Sequence, residues 1–62
     1  MKFDKPYWIS THGGQFVTIH WPDDRHLFLQ GDDAIRFGKA LDCCPDDESE
    51  QRMLAEYESV AV

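Results

Sequence analysis

Two stretches near the start of the chain combine aromatic and β-branched residues, a pattern typical of strands. They cover residues 7–11 and 16–21 and are separated by residues 12–15, which include Gly13 and Gly14. A Gly-Gly pair supplies the positive φ angles that a two-residue hairpin turn requires. A second turn signal at 22–25 is followed by a short apolar stretch at 27–29. The pattern predicts a three-stranded antiparallel meander with the second strand in the centre.

The alternation of apolar and polar positions predicts how these strands pair and which face is buried. A two-residue turn at Gly13-Gly14 and a three-residue loop at 23–25 sort the side chains consistently. The expected pairs are Trp8 with Ile19, Ser10 with Val17, Trp21 with Leu27, and Ile19 with Leu29. The predicted core face contains Trp8, Val17, Ile19, Trp21, Leu27 and Leu29. The opposite face contains Tyr7, Ile9, Thr11, Phe16, Thr18, His20 and Phe28.

The second half of the chain has the apolar spacing of helices rather than strands. A first helix is predicted at 33–44, with Asp32 or Asp33 as its cap. Its apolar stripe is Ala34, Phe37, Leu41 and Cys44. A second helix is predicted at 46–60, with Pro45 either ending the first helix or occupying the first position of the second. Its apolar stripe is Met53, Leu54, Tyr57 and Val60. The predicted fold is one small α+β domain over 1–62, in the order β-β-β-α-α.

Composition restricts the class of protein. Hydrophobic residues make up 42% and aromatic residues 13% of the 62 positions, which disfavours intrinsic disorder. No apolar run approaches the roughly 20 residues of a membrane-spanning helix. Residues 1–6 are not followed by the apolar segment of a secretion signal, and the two cysteines are typical of a reducing compartment. We therefore expect a cytoplasmic protein.

The net charge of −6 is concentrated in one part of the chain. Residues 1–31 are balanced, and the excess of acid falls in residues 42–58, here called the acidic segment. Its seven acids are Asp42, Asp46, Asp47, Glu48, Glu50, Glu56 and Glu58. On one continuous helix they would be spaced about as densely as the phosphates of a DNA strand, although Pro45 interrupts that row. Such a surface repels nucleic acid and attracts basic protein surfaces, and Asp23 and Asp24 are candidate extensions of it.

The residues give no support for catalysis. Ser10, His12 and Asp23 or Asp24 have the residue types of a catalytic triad, but the chain has no G-x-S-x-G motif and is too short to enclose a substrate pocket. The paired acids have neither the spacing of a calcium loop nor that of a glycosidase site. We expect no enzyme activity.

Metal-ligating residue types occur without the spacing of a structural metal centre. Zinc sites use paired ligands such as C-x2-C and H-x3–5-H. His20 and His26 are the best available pair, but Cys43 and Cys44 are adjacent and point to different sides of a helix. We expect no metal and no cofactor.

The second sheet face provides an alternative interface. Two short helices cover one face of a three-stranded sheet, which leaves the other face exposed. The residues of this alternative interface are Tyr7, Ile9, Phe16, His20 and Phe28. An apolar patch of this kind is typical of a homodimer or of a protein-interaction module, unless another segment of the chain covers it.

Small size, acidity and a β-meander followed by acidic helices resemble the phage-encoded inhibitors of bacterial defence, in particular anti-CRISPR proteins. The seven acids of the acidic segment carry this resemblance. It implies a non-enzymatic inhibitor, borne by a phage or mobile element, that acts in the bacterial cytoplasm. Its partner would be a bacterial complex with a basic nucleic-acid-binding surface, blocked by DNA mimicry. These inhibitors share no common sequence motif, so no individual residue role carries over.

Overall fold

The computed structural model describes residues 4–62 and has a three-stranded antiparallel sheet followed by two helices. The strands are β1 (Tyr7–Thr11), β2 (Phe16–His20) and β3 (His26–Gln30), in the spatial order β1-β2-β3. Helix α1 covers Asp32–Asp42 and helix α2 covers Asp47–Glu58. The predicted α+β layout, with its central second strand, is confirmed.

The first hairpin has the predicted glycine turn at its centre, but its loop covers residues 12–15 and His12 also has a positive φ, 56°. Gly13 has φ 67° and ψ 25°, and Gly14 has φ 91°. These are the angles of a type I′ turn, whose twist matches that of the strands. The Gln15 N–H donates to the His12 carbonyl at 3.3 Å and closes the turn. The predicted pairs, Trp8 with Ile19 and Ser10 with Val17, are confirmed.

The second hairpin differs from the prediction by two residues in register. The Trp21 N–H donates to the Arg25 carbonyl at 3.0 Å, so these two residues close the loop. The loop is therefore 22–24 rather than the predicted 23–25. Asp24 has φ 70°, the left-handed conformation that ends a common type of three-residue hairpin loop. Pro22 suits the first position of that loop because its ring presets φ.

This register replaces the predicted pairing of β2 with β3. Leu27 lies opposite Ile19 rather than Trp21, and Leu29 lies opposite Val17 rather than Ile19. A shift of two residues leaves every side chain on its predicted face, because the period of a strand is two. The predicted faces of the sheet are therefore correct, although the predicted pairs between β2 and β3 are wrong.

The core lies between one face of the sheet and both helices. Its buried residues are Val17, Ile19, Trp21, Leu29, Ala34, Phe37 and Leu54. Trp8 and Leu27 are half-buried against them, which confirms the predicted core face. Phe37 makes edge-to-face contacts with Trp8 and Tyr57, each with ring centroids 5.6 Å apart. The Trp21 indole N–H is buried without an acceptor among residues 4–62, so packing is what this side chain contributes.

Several details of the predicted helices differ from the structure, since α1 ends at Asp42 and Cys44 therefore lies beyond its predicted apolar stripe. Neither Asp32 nor Asp33 caps α1; the cap position is Gly31, at φ 61°, and both acids lie in the first turn. Pro45 does not occupy the first position of α2, which begins after Asp46. It follows Cys43, the C-cap of α1, by two residues, which agrees with the other alternative. Val60 lies beyond the end of α2 and is 62% exposed, so it is not part of the apolar stripe.

The end of the chain returns to the sheet. The His26 N–H donates to the Val62 carbonyl and the Val62 N–H donates to the His26 carbonyl, both at 3.0 Å. Val62 therefore extends the outer edge of β3 by one antiparallel bridge. Among residues 4–62, no helix is long and apolar enough to cross a membrane.

The glycines of this fold allow a paired stability prediction. Gly38 is inside α1, and a Cβ added there meets no described heavy atom within 4 Å. Gly38→Ala should therefore raise the free energy of unfolding by about 0.5–1 kcal/mol, because alanine loses less backbone entropy in a helix. Gly14→Ala should lower it by about 1 kcal/mol or more, because φ 91° is strained for an L-residue. Urea denaturation of both variants checks the opposite signs, and two changes of the same sign would contradict this account.

Candidate functional site

The acidic segment is divided between two helices. Asp42 is the last residue of α1, and Asp47 is the first residue of α2. The row of acids is therefore broken after Asp42, as Pro45 had indicated. The phosphate-like spacing of a continuous helix does not exist in this fold.

The acids of α2 point in different directions around the helix. At 3.6 residues per turn, Glu48 and Glu56 lie on the side away from the buried Leu54, and both are exposed. Glu50 and Glu58 lie nearer the sheet and are half-buried. Only some of the predicted acids therefore face outward into solvent. We call Asp42, Asp47, Glu48 and Glu56 the acidic surface, since all four are exposed.

Asp46 has a structural role in the start of α2. Its carboxylate accepts the Ser49 N–H at 2.9 Å, which is the standard N-cap interaction. The bonds from Ser49 hold the pKa of Asp46 below its usual value. Asp46, which the sequence analysis predicts as a partner-binding residue, therefore caps its own helix.

Arg25 binds two further acids of the predicted set. Its Nε donates to Asp23 at 2.7 Å, and its Nη2 donates to Glu58 at 2.9 Å. The hydrogen bond from the Arg25 side chain lowers the pKa of Asp23, and the same bond raises the pKa of Arg25. This bridge connects the β2–β3 loop to the end of α2. All three side chains are partly exposed, so the bridge positions these segments more than it stabilises them.

In the part of the chain that the structure describes, none of the remaining predicted acids except Glu48 has a structural partner, and all of them but the half-buried Glu50 are exposed. Glu48 makes a 3.4 Å ion pair with Arg52 at i+4, and both side chains are largely exposed. Among residues 4–62, Asp24, Asp42, Asp47, Glu50 and Glu56 make no ion pair. Of the predicted acids, those in the acidic surface are the ones that a basic partner can reach without breaking the Asp46 cap or the Arg25 bridge.

The cap of α2 gives a prediction that separates capping from charge. Asp46→Ala should lower the melting temperature more than Asp47→Ala, because both remove a negative charge near the helix start and only the first removes the cap. Asp46→Asn should retain most of the stability at neutral pH, since asparagine caps equally well. Thermal denaturation followed by circular dichroism measures all three.

The same cap predicts an acid-dependent stability. Because the folded pKa of Asp46 is lowered, its contribution is complete above the ordinary aspartate pKa of about 3.9 and is lost as pH falls through the folded value. Asp46→Asn should show a weaker loss of stability below about pH 4 than the parent chain. An unchanged acid profile would exclude the Asp46 carboxylate as a source of that loss.

The sheet face opposite the helices is uncovered among residues 4–62. We call it the open face; its strand residues are Tyr7, Ile9, Thr11, Phe16, Thr18, His20, His26, Phe28 and Gln30. Ile9 and Phe28 are each about half exposed, at 51% and 52%. The Phe16 ring stacks on Phe28 with centroids 5.8 Å apart, and the Tyr7 ring stacks on His20 at 5.0 Å. None of these strand residues is Asp, Glu, Lys or Arg.

The residue types of a catalytic triad are not brought together. Ser10 lies near the end of β1 and His12 begins the first hairpin turn, whereas Asp23 and Asp24 lie in the β2–β3 loop at the other end of β2. His12 donates to or accepts from the Thr11 hydroxyl at 3.2 Å and packs edge-on against Phe16. Asp23 is bound to Arg25. No proton relay between these groups is available in this geometry.

The thiols and imidazoles do not form a closed metal centre in the described part of the chain. Cys43 is exposed and Cys44 is half-buried, and both are free thiols. The Cys44 thiol donates to the Ala40 carbonyl at 3.3 Å. Within residues 4–62, no group of three or more histidine, cysteine or acidic side chains is close enough to share an ion.

Comparison of the chain with models of known protein families, with curated proteins and with solved structures finds no match. Residue roles therefore depend on the geometry alone. Sequence reasoning missed two features of that geometry, the Arg25 bridge and the direct pairing of His20 with His26. The bridge joins residues far apart in the chain, and the histidine pair depends on the register of the second hairpin.

Proposed function

We propose that this chain is a non-enzymatic inhibitor of the phage-borne, anti-CRISPR type that it resembles. It binds a bacterial protein complex through the acidic surface and occupies the basic channel in which that complex holds nucleic acid. The chain itself binds neither nucleic acid nor membrane. It acts in the cytoplasm of the bacterial host.

The observation that carries this proposal is the separation of charge between the two layers of the fold. The open face has no Asp, Glu, Lys or Arg among its strand residues, whereas the segment 42–58 has a net charge of −6. A field directed from one side of a small protein accelerates association with an oppositely charged surface and orients the encounter. The exposed positions of Asp42, Asp47, Glu48 and Glu56 favour such an encounter.

The broken row of acids changes the form of mimicry that we propose. Acids spread over the end of α1 and around α2 match the charge of a nucleic acid and not its regular spacing. Binding should therefore depend on the density of exposed acid near the α1–α2 connection. Strict replacement of successive phosphates is not required.

A capture experiment tests this function. The tagged protein is incubated with bacterial lysate at low salt, and the bound material is eluted separately with duplex DNA and with rising salt. Release of the same nucleic-acid-binding complex by both eluents supports the proposal, because DNA then competes for the occupied surface and salt screens the charges. A captured protein that resists both eluents contradicts it.

The open face supports a second candidate function, a small dimerisation or protein-interaction module. The exposed rings of Phe28 and Tyr7 and the side chain of Ile9 form its apolar part, with Phe16 and His20 beside them. A contact through this face keeps the acidic helices of two copies on opposite outer sides. Sedimentation at low and high salt distinguishes the two functions: a dimer that persists in high salt favours the apolar interface, since salt screening weakens only the charged one.

A further inference from the structure

The observed register of the second hairpin brings two histidines together. His20 of β2 lies directly opposite His26 of β3. The predicted register would have placed His20 opposite Phe28. This juxtaposition is created by the 22–24 loop and was not visible in the spacing of the histidines.

The backbone hydrogen bonds show which kind of pair this is. Trp21 and Arg25, the next pair toward the loop, are hydrogen-bonded to one another. Pairs alternate along an antiparallel ladder, so His20 and His26 form a non-hydrogen-bonded pair. The N–H and C=O of His26 accordingly point away from β2 and bond to Val62. In such a pair the Cβ atoms are only about 4.5–5.5 Å apart, which is the closest approach of two side chains across a sheet.

Both imidazoles are on the open face. The alternation of the strands places them there, and the Tyr7 ring stacked on His20 at an interplanar angle of 25° confirms that side for His20. His26 is exposed and His20 is partly exposed. None of the side-chain hydrogen bonds within residues 4–62 uses a ring nitrogen of either histidine.

This arrangement has the chemistry of a chelating metal site. Neutral imidazole is a preferred ligand of Zn²⁺, Ni²⁺ and Cu²⁺, with metal–nitrogen distances near 2.0–2.1 Å for zinc. Two such nitrogens on one ion are roughly 3.3 Å apart, a separation within reach of two rings whose Cβ atoms are about 5 Å apart. The stacked Tyr7 ring limits the rotation of the His20 imidazole and so reduces the entropy lost on binding.

We propose that His20 and His26 form a two-histidine site for a divalent transition-metal ion of the Ni²⁺, Cu²⁺ and Zn²⁺ group. The ion is bound on the open face at the end nearest the β2–β3 loop. Two protein ligands leave its other coordination positions to water. The site differs from the closed structural zinc centre that the sequence disfavours, since folding does not depend on it.

The test uses a Cys43→Ser/Cys44→Ser background, because the free thiols bind the same metals. Titration calorimetry with NiCl₂ should give one ion per chain. His20→Gln and His26→Gln should each weaken binding at least about tenfold, because either change removes the chelate. His12→Gln is the matched control: it removes the third histidine, which lies at the opposite end of β2, and should leave the affinity unchanged.

A measurement without histidine substitution guards against a folding defect in the variants. Paramagnetic Ni²⁺ should selectively broaden the NMR signals of His20 and His26 in the Cys43→Ser/Cys44→Ser background, with all three histidines intact, and leave those of His12 sharp. The proposal is overturned if His12→Gln weakens Ni²⁺ binding as much as His20→Gln does. It is also overturned if all three imidazoles broaden equally, or if no binding is detected.

Discussion

Replacing Phe37 with alanine is expected to remove most of the stability of this domain. Phe37 is fully buried, and its ring meets both Trp8 of the sheet and Tyr57 of α2. Truncation of a buried phenylalanine lowers the free energy of unfolding by about 3–5 kcal/mol. A chain of 62 residues has a total of roughly 3–9 kcal/mol. Urea denaturation at 25 °C should show the midpoint of the variant's transition at a much lower urea concentration than that of the parent chain.

The control for this prediction lies two residues away in the same helix. Ile35 is 48% exposed, so Ile35→Ala should change stability by no more than about 0.5 kcal/mol. Both substitutions introduce alanine into α1, and the two replaced residues differ in how deeply they are buried. Equal losses in the two variants would mean that α1 does not pack on the sheet through Phe37.

Much of the fold can be predicted from the periodicity of apolar residues, because burying one face of a strand or helix requires apolar residues at regular spacing. The period-two pattern identified both sheet faces, and the two glycines predicted the turn that sets the first register. The second register could not be derived in the same way. Loops at 22–24 and 23–25 place the same side chains on the same faces, so the apolar pattern does not distinguish them. The local preferences of Pro22 for the start of the loop and of Asp24 for its left-handed end decide between them.

The candidate sites were less predictable than the fold. The sequence identified the acids but not their partners, because contact between Arg25 and Glu58 depends on how α2 lies across the sheet. The role of Asp46 was hidden by a difference of one residue in where α2 begins. The open face was foreseen, since two helices cover only one side of a sheet, but its histidine pair required the exact register.

Neutralising three acids of the acidic surface is expected to weaken binding to the proposed partner by roughly ten- to hundredfold at low salt. The variant is Asp42→Asn/Asp47→Asn/Glu56→Gln. All three side chains are exposed and without ion pairs within residues 4–62, so the substitutions spare the Asp46 cap and the Arg25 bridge. The magnitude follows from three exposed charge pairs of about 0.5–1 kcal/mol each. Affinity for the captured complex, measured at two salt concentrations, checks both the loss and a reduced dependence on salt.

The matched control changes the net charge by the same amount at other positions. Asp4→Asn/Asp32→Asn/Asp33→Asn also takes the formal charge from −6 to −3. Asp32 and Asp33 begin α1 and are about 15 Å along the helix from Asp42, beyond the Debye length of about 10 Å in 0.1 M salt. If the acidic surface binds the partner, this control should retain nearly full affinity. Equal losses in both variants would show that only the overall charge matters, and full affinity in both would exclude the acidic surface and leave the open face as the site of binding.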